Sequence, residues 1–283
     1  MKKLRDRKDG AFVKHTDPSH VALPLISPGR IANEATASYD IDLTNLDLYL
    51  KEKQKNGRKY SYMTCVYASL AIMFASRPKM NYYVKGSNYY IRKDIVFSMN
   101  VKRTFSDNDP SLNIKFNYDP KDERFILDQI QDKLDERIDA VKATSTNSGE
   151  KDPLDFLLKI PPFMLPGVGR FFRFLDNRGW LPKALMEVDP QHSSCFLANM
   201  ASIGIETNYH HLTNWGTNSF FFLMGKIKVK NELQLDGTVV AKRYLPLVAI
   251  IDERIADGLY LTRSTKIIPR YLENPSLFDV VKE

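Results

Sequence analysis

A mixed α/β fold is predicted by three observations. Ile126, Ile130, Leu134, Ile138 and Val141 line one face of a helical pattern whose other face carries Asp and Lys. Leu112, Ile114, Phe116 and Tyr118 alternate with polar residues, as in a strand buried on one side. Phe220–Val229 and Val239–Ile251 are strand-like runs, with Asp236-Gly237 as a turn signal between them.

The elements follow in order. Residues 2–29 carry Pro18, Pro24 and Pro28 without clear periodicity, which predicts an extended arm laid on something else. Leu43, Leu46 and Leu50 share one face of a helix that opens at Asp42-Leu43-Thr44 and closes at Asn56-Gly57. Ser61 caps a second helix, Tyr62 to Ser76, stopped by Pro78; it is apolar nearly all round and so should be buried. Tyr89 to Arg103 mixes β-branched and aromatic residues and reads as strands. After the helix that follows Asp119-Pro120, Thr144–Lys151 is a loop. Pro153–Pro190 is rich in Pro, Gly and large apolar groups (Phe156-Leu157-Leu158, Pro161–Leu165, Phe171–Leu175). It is either a lid or docking surface for lipid or a protein, or an irregular insertion packed on its own domain. A last helix runs from Asp257-Gly258 toward Asn274-Pro275, with Pro269 kinking or shortening it. The expected organisation is an arm over 1–40 and a single domain over 41–283 with an apolar insertion at about 145–190.

Composition narrows the function classes. Among 283 residues, 41 Lys+Arg against 34 Asp+Glu give a net charge of +7, but the cations are dispersed and no block of five or six occurs. Nucleic-acid binding is therefore not indicated, while an anionic ligand is permitted. Cys65 and Cys195 lie far apart in apolar surroundings, without a CxxC or Cys/His cluster, so neither a disulfide framework nor a metal site is expected. No apolar run reaches the roughly 18 residues of a spanning helix, and the N-terminus lacks a secretory h-region. A soluble cytoplasmic protein is expected. There is no Gly-rich phosphate loop to support a Rossmann or P-loop reading.

Three segments carry a resemblance. The first is Asp42-Leu43-Thr44-Asn45-Leu46 with Tyr60-Ser61-Tyr62 and the apolar helix to Arg77-Pro78. The second is Phe222-Leu223-Met224-Gly225-Lys226 leading to Leu245-Pro246-Leu247. The third is Asp252-Glu253-Arg254-Ile255-Ala256-Asp257-Gly258 with Tyr271-Leu272-Glu273-Asn274-Pro275. In this order the chain resembles, over roughly residues 30–283, the chloramphenicol acetyltransferase family and its sister, the acyltransferase component of 2-oxoacid dehydrogenase complexes.

The resemblance implies a mixed sheet flanked by helices, a homotrimer, and an active site in a channel between subunits. In that family a histidine four residues before the motif's aspartate acts as general base toward a thiol or hydroxyl acceptor. The acceptor attacks the thioester of acyl-CoA, a serine stabilises the oxyanion, and the aspartate pairs with an arginine. Mapped onto this chain, the base position holds Glu253. The oxyanion position falls in Phe196–Asn199, where Asn199 or the nearby Ser202 is the nearest polar substitute. Asp257 and Gly258 are kept, and Arg30 is the expected partner of Asp257.

A free glutamate titrates near 4.3 and a thiol near 8.5, so Glu253 needs burial in an apolar channel to serve as base. Otherwise it pairs with Arg254, Lys242 or another cation. His210 and His211 are either a relocated base or loop and core residues; His15, His20 and His192 carry no local signal. Trp215 and Phe222 fall where the family lines its acceptor pocket, although the aromatic run also reads as sheet core. Lys226, Lys228 and Lys230 either meet the CoA phosphates or form a solvated edge.

Acyl-CoA is thus the implied co-substrate, and a small molecule the acceptor. An N-terminus of about 40 residues has no room for a lipoyl domain, so a freestanding trimer is expected over a place in a dehydrogenase core. The competing expectation is a non-catalytic trimeric binding or scaffold protein on the same fold. Residues 153–190 are the expected contact for a membrane surface or protein.

Overall fold

The computed structural model describes residues 5–14, 17–102, 111–143, 159–206 and 209–280. The expected loop 144–151, the Phe156-Leu157-Leu158 run, His15 and Asn208 lie outside the described residues.

The arm is not extended throughout. It forms a short strand, β1 (Gly10–Val13), and a helix, α1 (Pro18–Ile26). Asp17 caps α1 by accepting the Ser19 N–H at 2.9 Å, and Pro18 stands in the first turn, where a missing N–H costs nothing. Next comes β2 (Glu34–Asp42), a strand not expected from the sequence, then α2 (Thr44–Lys55) and α3 (Tyr62–Ser76). β3 (Tyr82–Lys85), β4 (Asn88–Arg92), β5 (Ile95–Lys102) and β6 (Ser111–Tyr118) precede the amphipathic α4 (Ile126–Ala143).

The insertion is helical where described: α5 (Leu165–Arg178) closes at Gly179 in the left-handed conformation, and α6 (Lys183–Val188) follows. The remainder is β7 (Cys195–Asn199), β8 (Phe220–Met224), β9 (Lys228–Leu233), β10 (Val239–Asp252), α7 (Gly258–Thr265) and α8 (Ile267–Glu273). The single strand expected over 220–229 is two, broken at Gly225, where a Cβ would collide with the Glu206 carbonyl oxygen. The last helix is divided before Pro269, whose ring cannot tolerate the carbonyl four residues back.

One sheet carries seven strands in the order β2-β10-β8-β7-β5-β6, with β9 on the first half of β10. It is mixed: β7 runs parallel to both β5 and β8, and the other pairs are antiparallel. A smaller sheet joins β1, β4 and β3. Alternation sends Phe220, Phe222, Leu247 and Ala249 to the face covered by α3, α4 and α8, the main core. Phe196, Phe221, Leu223, Val248 and Ile250 point the other way and are covered by Leu212 of the connection before β8. Among the described residues no helix is long and apolar enough to cross a membrane.

Candidate active site

β10 ends at Asp252, and the chain turns through a single 3-10 turn, Glu253–Ile255, before α7 begins. The turn is held from inside. Arg254 lies 2% exposed and grips Asp252 through two bonds of 2.8 Å, Nε to Oδ1 and Nη2 to Oδ2. The same guanidinium donates from Nη1 to the Pro28 carbonyl at 2.8 Å, tying the end of the arm to the turn. Such planar, doubly bonded contacts are what a guanidinium makes and an ammonium does not. With Asp252 and Arg254 directed inward, Glu253 between them is exposed.

Glu253 opens onto a cavity of about 640 Å³ between α1, β2 and α7. Its walls are mostly apolar: Ala22, Leu23 and Ile26 of α1, Ala35, Ala37 and Tyr39 of β2, Ile251 and Leu261. Ser19, His20, Arg254, Asp257 and Thr262 add polar groups. An apolar pocket with a few convergent polar side chains is the usual form of a small-molecule site. The cations expected as alternative partners of Glu253 are engaged elsewhere: Arg254 with Asp252, and Lys242 with Asp42 at 3.2 Å and Glu232 at 3.0 Å.

Arg30 is buried, but its carboxylate is Asp252 at 3.6 Å rather than Asp257. Its guanidinium also donates to the carbonyls of Thr213 at 2.6 Å, Trp215 at 3.1 Å and Gly216 at 3.1 Å. Burial holds this guanidinium below its ordinary pKa, with Asp252 opposing. Asp257 instead caps α7, accepting the Tyr260 N–H at 2.9 Å, and Gly258 is the first residue of that helix. The expected Arg30–Asp257 pair is therefore corrected: the aspartate at the end of β10 takes the arginine, leaving Asp257 free to cap.

The other expected residues lie elsewhere. Asn199 ends β7; its Oδ1 is buried without a hydrogen-bond partner among the described residues. Ser202 Oγ donates to the Asn199 carbonyl at 2.7 Å. Asn199 is paired with Met224, and Met224 with Leu247 in the middle of β10, whereas Glu253 follows Asp252, the last residue of that strand. Six residues along the chain separate Leu247 from Glu253, roughly 20 Å at about 3.3 Å per residue. One protomer therefore does not bring Glu253 and Asn199 together.

His210 stacks on Phe221 with ring centroids 4.1 Å apart, and its Nδ1 meets the His211 carbonyl at 2.8 Å. His211 Nδ1 lies 3.2 Å from Glu34, the residue in register with Asp252. Trp215 stands edge-on to His192 and donates its indole N–H to Asp189. Phe222 is 0% exposed within the main core, which corrects the expectation that it lines an acceptor pocket. Both aromatic groups serve packing here because alternation turns Phe222 under α3, and Asp189 takes the indole of Trp215. Lys228 and Lys230 both reach Asp40, at 2.8 and 2.6 Å, so that edge is a local ion cluster.

Asp17 and His20 were not singled out from the sequence. His20 Nδ1 lies 3.3 Å from Asp17 Oδ2 at spacing i,i+3. The legible signal was Asp17-Pro18, a helix cap and first turn; the cavity beyond it is a tertiary product.

Neither a family model nor a curated protein matches the sequence. Solved structures do match the fold. A chloramphenicol acetyltransferase aligns over 93% of this chain and 99% of its own, with 12% identity and a TM-score of 0.57. A probable dihydrolipoamide acetyltransferase from Listeria monocytogenes 4b F2365 aligns over 90% and 89%, with 16% identity and a TM-score of 0.55. A truncated catalytic core of the 2-oxoacid dehydrogenase multienzyme complex from Thermoplasma acidophilum aligns over 94% and 99%, at 13% identity and 0.54. The chain has the chloramphenicol acetyltransferase-like fold: a mixed sheet flanked by helices.

Proposed function

We propose that the protein is an acyl-CoA-dependent acyltransferase, moving an acyl group from a CoA thioester to a thiol or hydroxyl acceptor. The observation that carries this reading is the apolar cavity at the Glu253 turn, in a fold shared with a chloramphenicol acetyltransferase and a probable dihydrolipoamide acetyltransferase. Glu253 stands at its mouth as base or electrostatic element, and Asn199 or Ser202 supplies a donor for the oxyanion. His210 and His211 sit on the opposite face of the sheet. Because Asn199 lies two strands from β10 and level with its middle, while Glu253 follows its last residue, the reading requires a homotrimer in which neighbouring protomers complete each site. Arg30, Asp252 and Arg254 keep the turn rigid, so positioning does not rest on a loose loop.

The insertion offers a further contact for a membrane surface or a protein. Phe163, Phe171, Phe174 and Trp180 are exposed beside Arg170, Arg173 and Arg178. Aromatic groups interleaved with cations are the pattern of an interfacial helix.

The test is release of CoA thiol from acetyl-CoA with dihydrolipoamide or chloramphenicol as acceptor, by wild type, Glu253→Gln and Glu253→His. Turnover above the solvent rate in wild type, reduced in Glu253→Gln and kept or raised in Glu253→His, is expected. Equal background rates in all three leave the non-catalytic binding or scaffold protein as the reading.

A further inference from the structure

Building on the contact open to the insertion, we propose that the outward face of α5 docks this protein on an anionic lipid bilayer. Phe163, Phe171, Phe174 and Trp180 enter the interface, and Arg170, Arg173 and Arg178 meet the headgroups. The assignment gives the insertion one partner and holds whether or not the cavity at Glu253 transfers acyl groups. Gly167, Phe171, Phe174 and Arg178 recur at helical spacing and form one stripe of α5. Phe171 and Trp180 are more than half exposed, and Phe163, in the turn ahead of α5, is 83% exposed. A surface helix ordinarily turns polar groups outward; this one turns out aromatic rings. That much apolar surface gathered on one element marks a contact site.

The inner face fixes which way the stripe points. Asp176, on the opposite side of the helix, is buried and meets Arg7 at 3.0 Å, Lys85 at 2.5 Å and His192 at 3.2 Å. The helix cannot roll to bury its aromatic rings without breaking these pairs, which is costly for buried charges. Lys85 also donates to the Gly216 carbonyl at 3.0 Å, and Arg30 donates to the same oxygen at 3.1 Å. Arg30 in turn lies 3.6 Å from Asp252, so polar contacts run without a break from the insertion to the turn that carries Glu253.

Charge selects the partner. From Lys159 to Met186 the cations are Lys159, Arg170, Arg173, Arg178 and Lys183, and the only acid of that stretch is the inward-facing Asp176. Arg178 lies over the rings of Phe174 and Trp180, 5.2 and 5.9 Å from their centroids. The stripe thus presents apolar and positive groups and no negative one. A second copy meeting it face to face would set arginine against arginine, and a protein partner would have to offer acids and an apolar hollow together. A bilayer with anionic lipid supplies a negative surface above an apolar layer. Its headgroup level is also where Trp side chains concentrate.

The experiment sediments the protein with phosphatidylcholine vesicles, alone or containing about 30% phosphatidylserine. Binding to the anionic vesicles is expected, at least about tenfold weaker on the neutral ones, and weakened at about 0.5 M salt by screening. Arg170→Gln combined with Arg173→Gln should lower the partition roughly 25-fold, at about fivefold per cation. Phe171→Ser combined with Trp180→Ser should lower it about tenfold or more. Lipid brominated in its acyl chains should quench wild-type fluorescence. Trp180→Phe should bind as before with that quenching lost, since the remaining Trp215 is held by Asp189. No binding to anionic vesicles, or equal binding by wild type and the Arg170→Gln, Arg173→Gln protein, overturns the assignment. So does a smaller assembly by light scattering in the Phe171→Ser, Trp180→Ser protein, which would make this face an interface between copies of the chain. The arginine positions are exposed, so unchanged thermal unfolding in that variant separates lost docking from lost folding. Acyl transfer to dihydrolipoamide in solution needs no bilayer, so failure of docking leaves the acyltransferase reading intact.

Discussion

Asp176 shows how a single residue fixes the architecture around the site. It is the one acidic residue of α5 and is 0% exposed. Its carboxylate meets Arg7 at 3.0 Å, Lys85 at 2.5 Å and His192 at 3.2 Å, joining the insertion to the arm and the small sheet. Burial by itself would raise its pKa, but the hydrogen bond from His192 and the charge of Lys85 hold it well below the carboxylate range. Burial pushes Lys85 down to about 8, against the pull of Asp176. Asp9, beside Arg7 and Arg92, and Asp189, beside His192, are also held low despite their burial.

The sign follows from proton binding. Below about pH 4 the unfolded chain takes up protons on these aspartates before the folded one does. Their stabilisation is complete above that pH and is lost as pH falls through the depressed folded-state values. Asp176→Ala strands Arg7 and Lys85 without their shared carboxylate and should cost about 3–5 kcal/mol, the range for breaking a buried ion pair. Urea unfolding at pH 7 measures it, and the variant should show a weaker acid-side decline. A loss under about 1 kcal/mol, typical of an exposed pair, would contradict the buried network.

At the scale of elements, α3 is the clearest case of sequence dictating structure. Ser61 accepts the Thr64 N–H at 3.0 Å and Thr64 Oγ1 reaches back toward the Ser61 N–H, a reciprocal cap legible in the sequence as a serine before an apolar run. The helix is buried from Thr64 to Phe74, as its all-round apolar pattern requires. Ser61→Ala should destabilise the protein by about 1 kcal/mol in thermal or denaturant unfolding. No measurable loss would mean that burial alone holds the first turn.

The amphipathic α4 was equally legible, because its signal is local and repeats for several turns. β2 was not. Its alternation sets Glu34, Thr36, Ser38 and Asp40 against Ala35, Ala37, Tyr39 and Ile41, a weak contrast built from small residues. Only pairing with β10, more than two hundred residues away, makes it a strand. The arm hid α1 for a related reason: Pro24 lies inside the helix, where a pattern reading expects a break.

For the whole molecule, the fold was readable because three separated segments fell in the right order. The site was readable only in part. Glu253 was located by its motif position. Arg30 is expected from the sequence as the partner of Asp257, but the identity of its partner depends on which aspartate faces inward, Asp252 or Asp257. Phe222 and the histidine pair illustrate the same limit, since strand alternation and a long connection decide which face each side chain occupies. The cavity lined by both His20 and Glu253 lay beyond any local reading, because its walls come from the arm and the C-terminal turn together.

The most direct measurement concerns the cavity itself. Ala22, on the exposed side of α1, lines its wall, so Ala22→Trp fills the space with little disturbance to the core. Acyl transfer at this cavity predicts release of CoA thiol from acetyl-CoA by the wild-type protein with dihydrolipoamide or chloramphenicol as acceptor, lost at least tenfold in Ala22→Trp while thermal unfolding is unchanged. Release at the same rate in both proteins would place the chemistry elsewhere and contradict the site described.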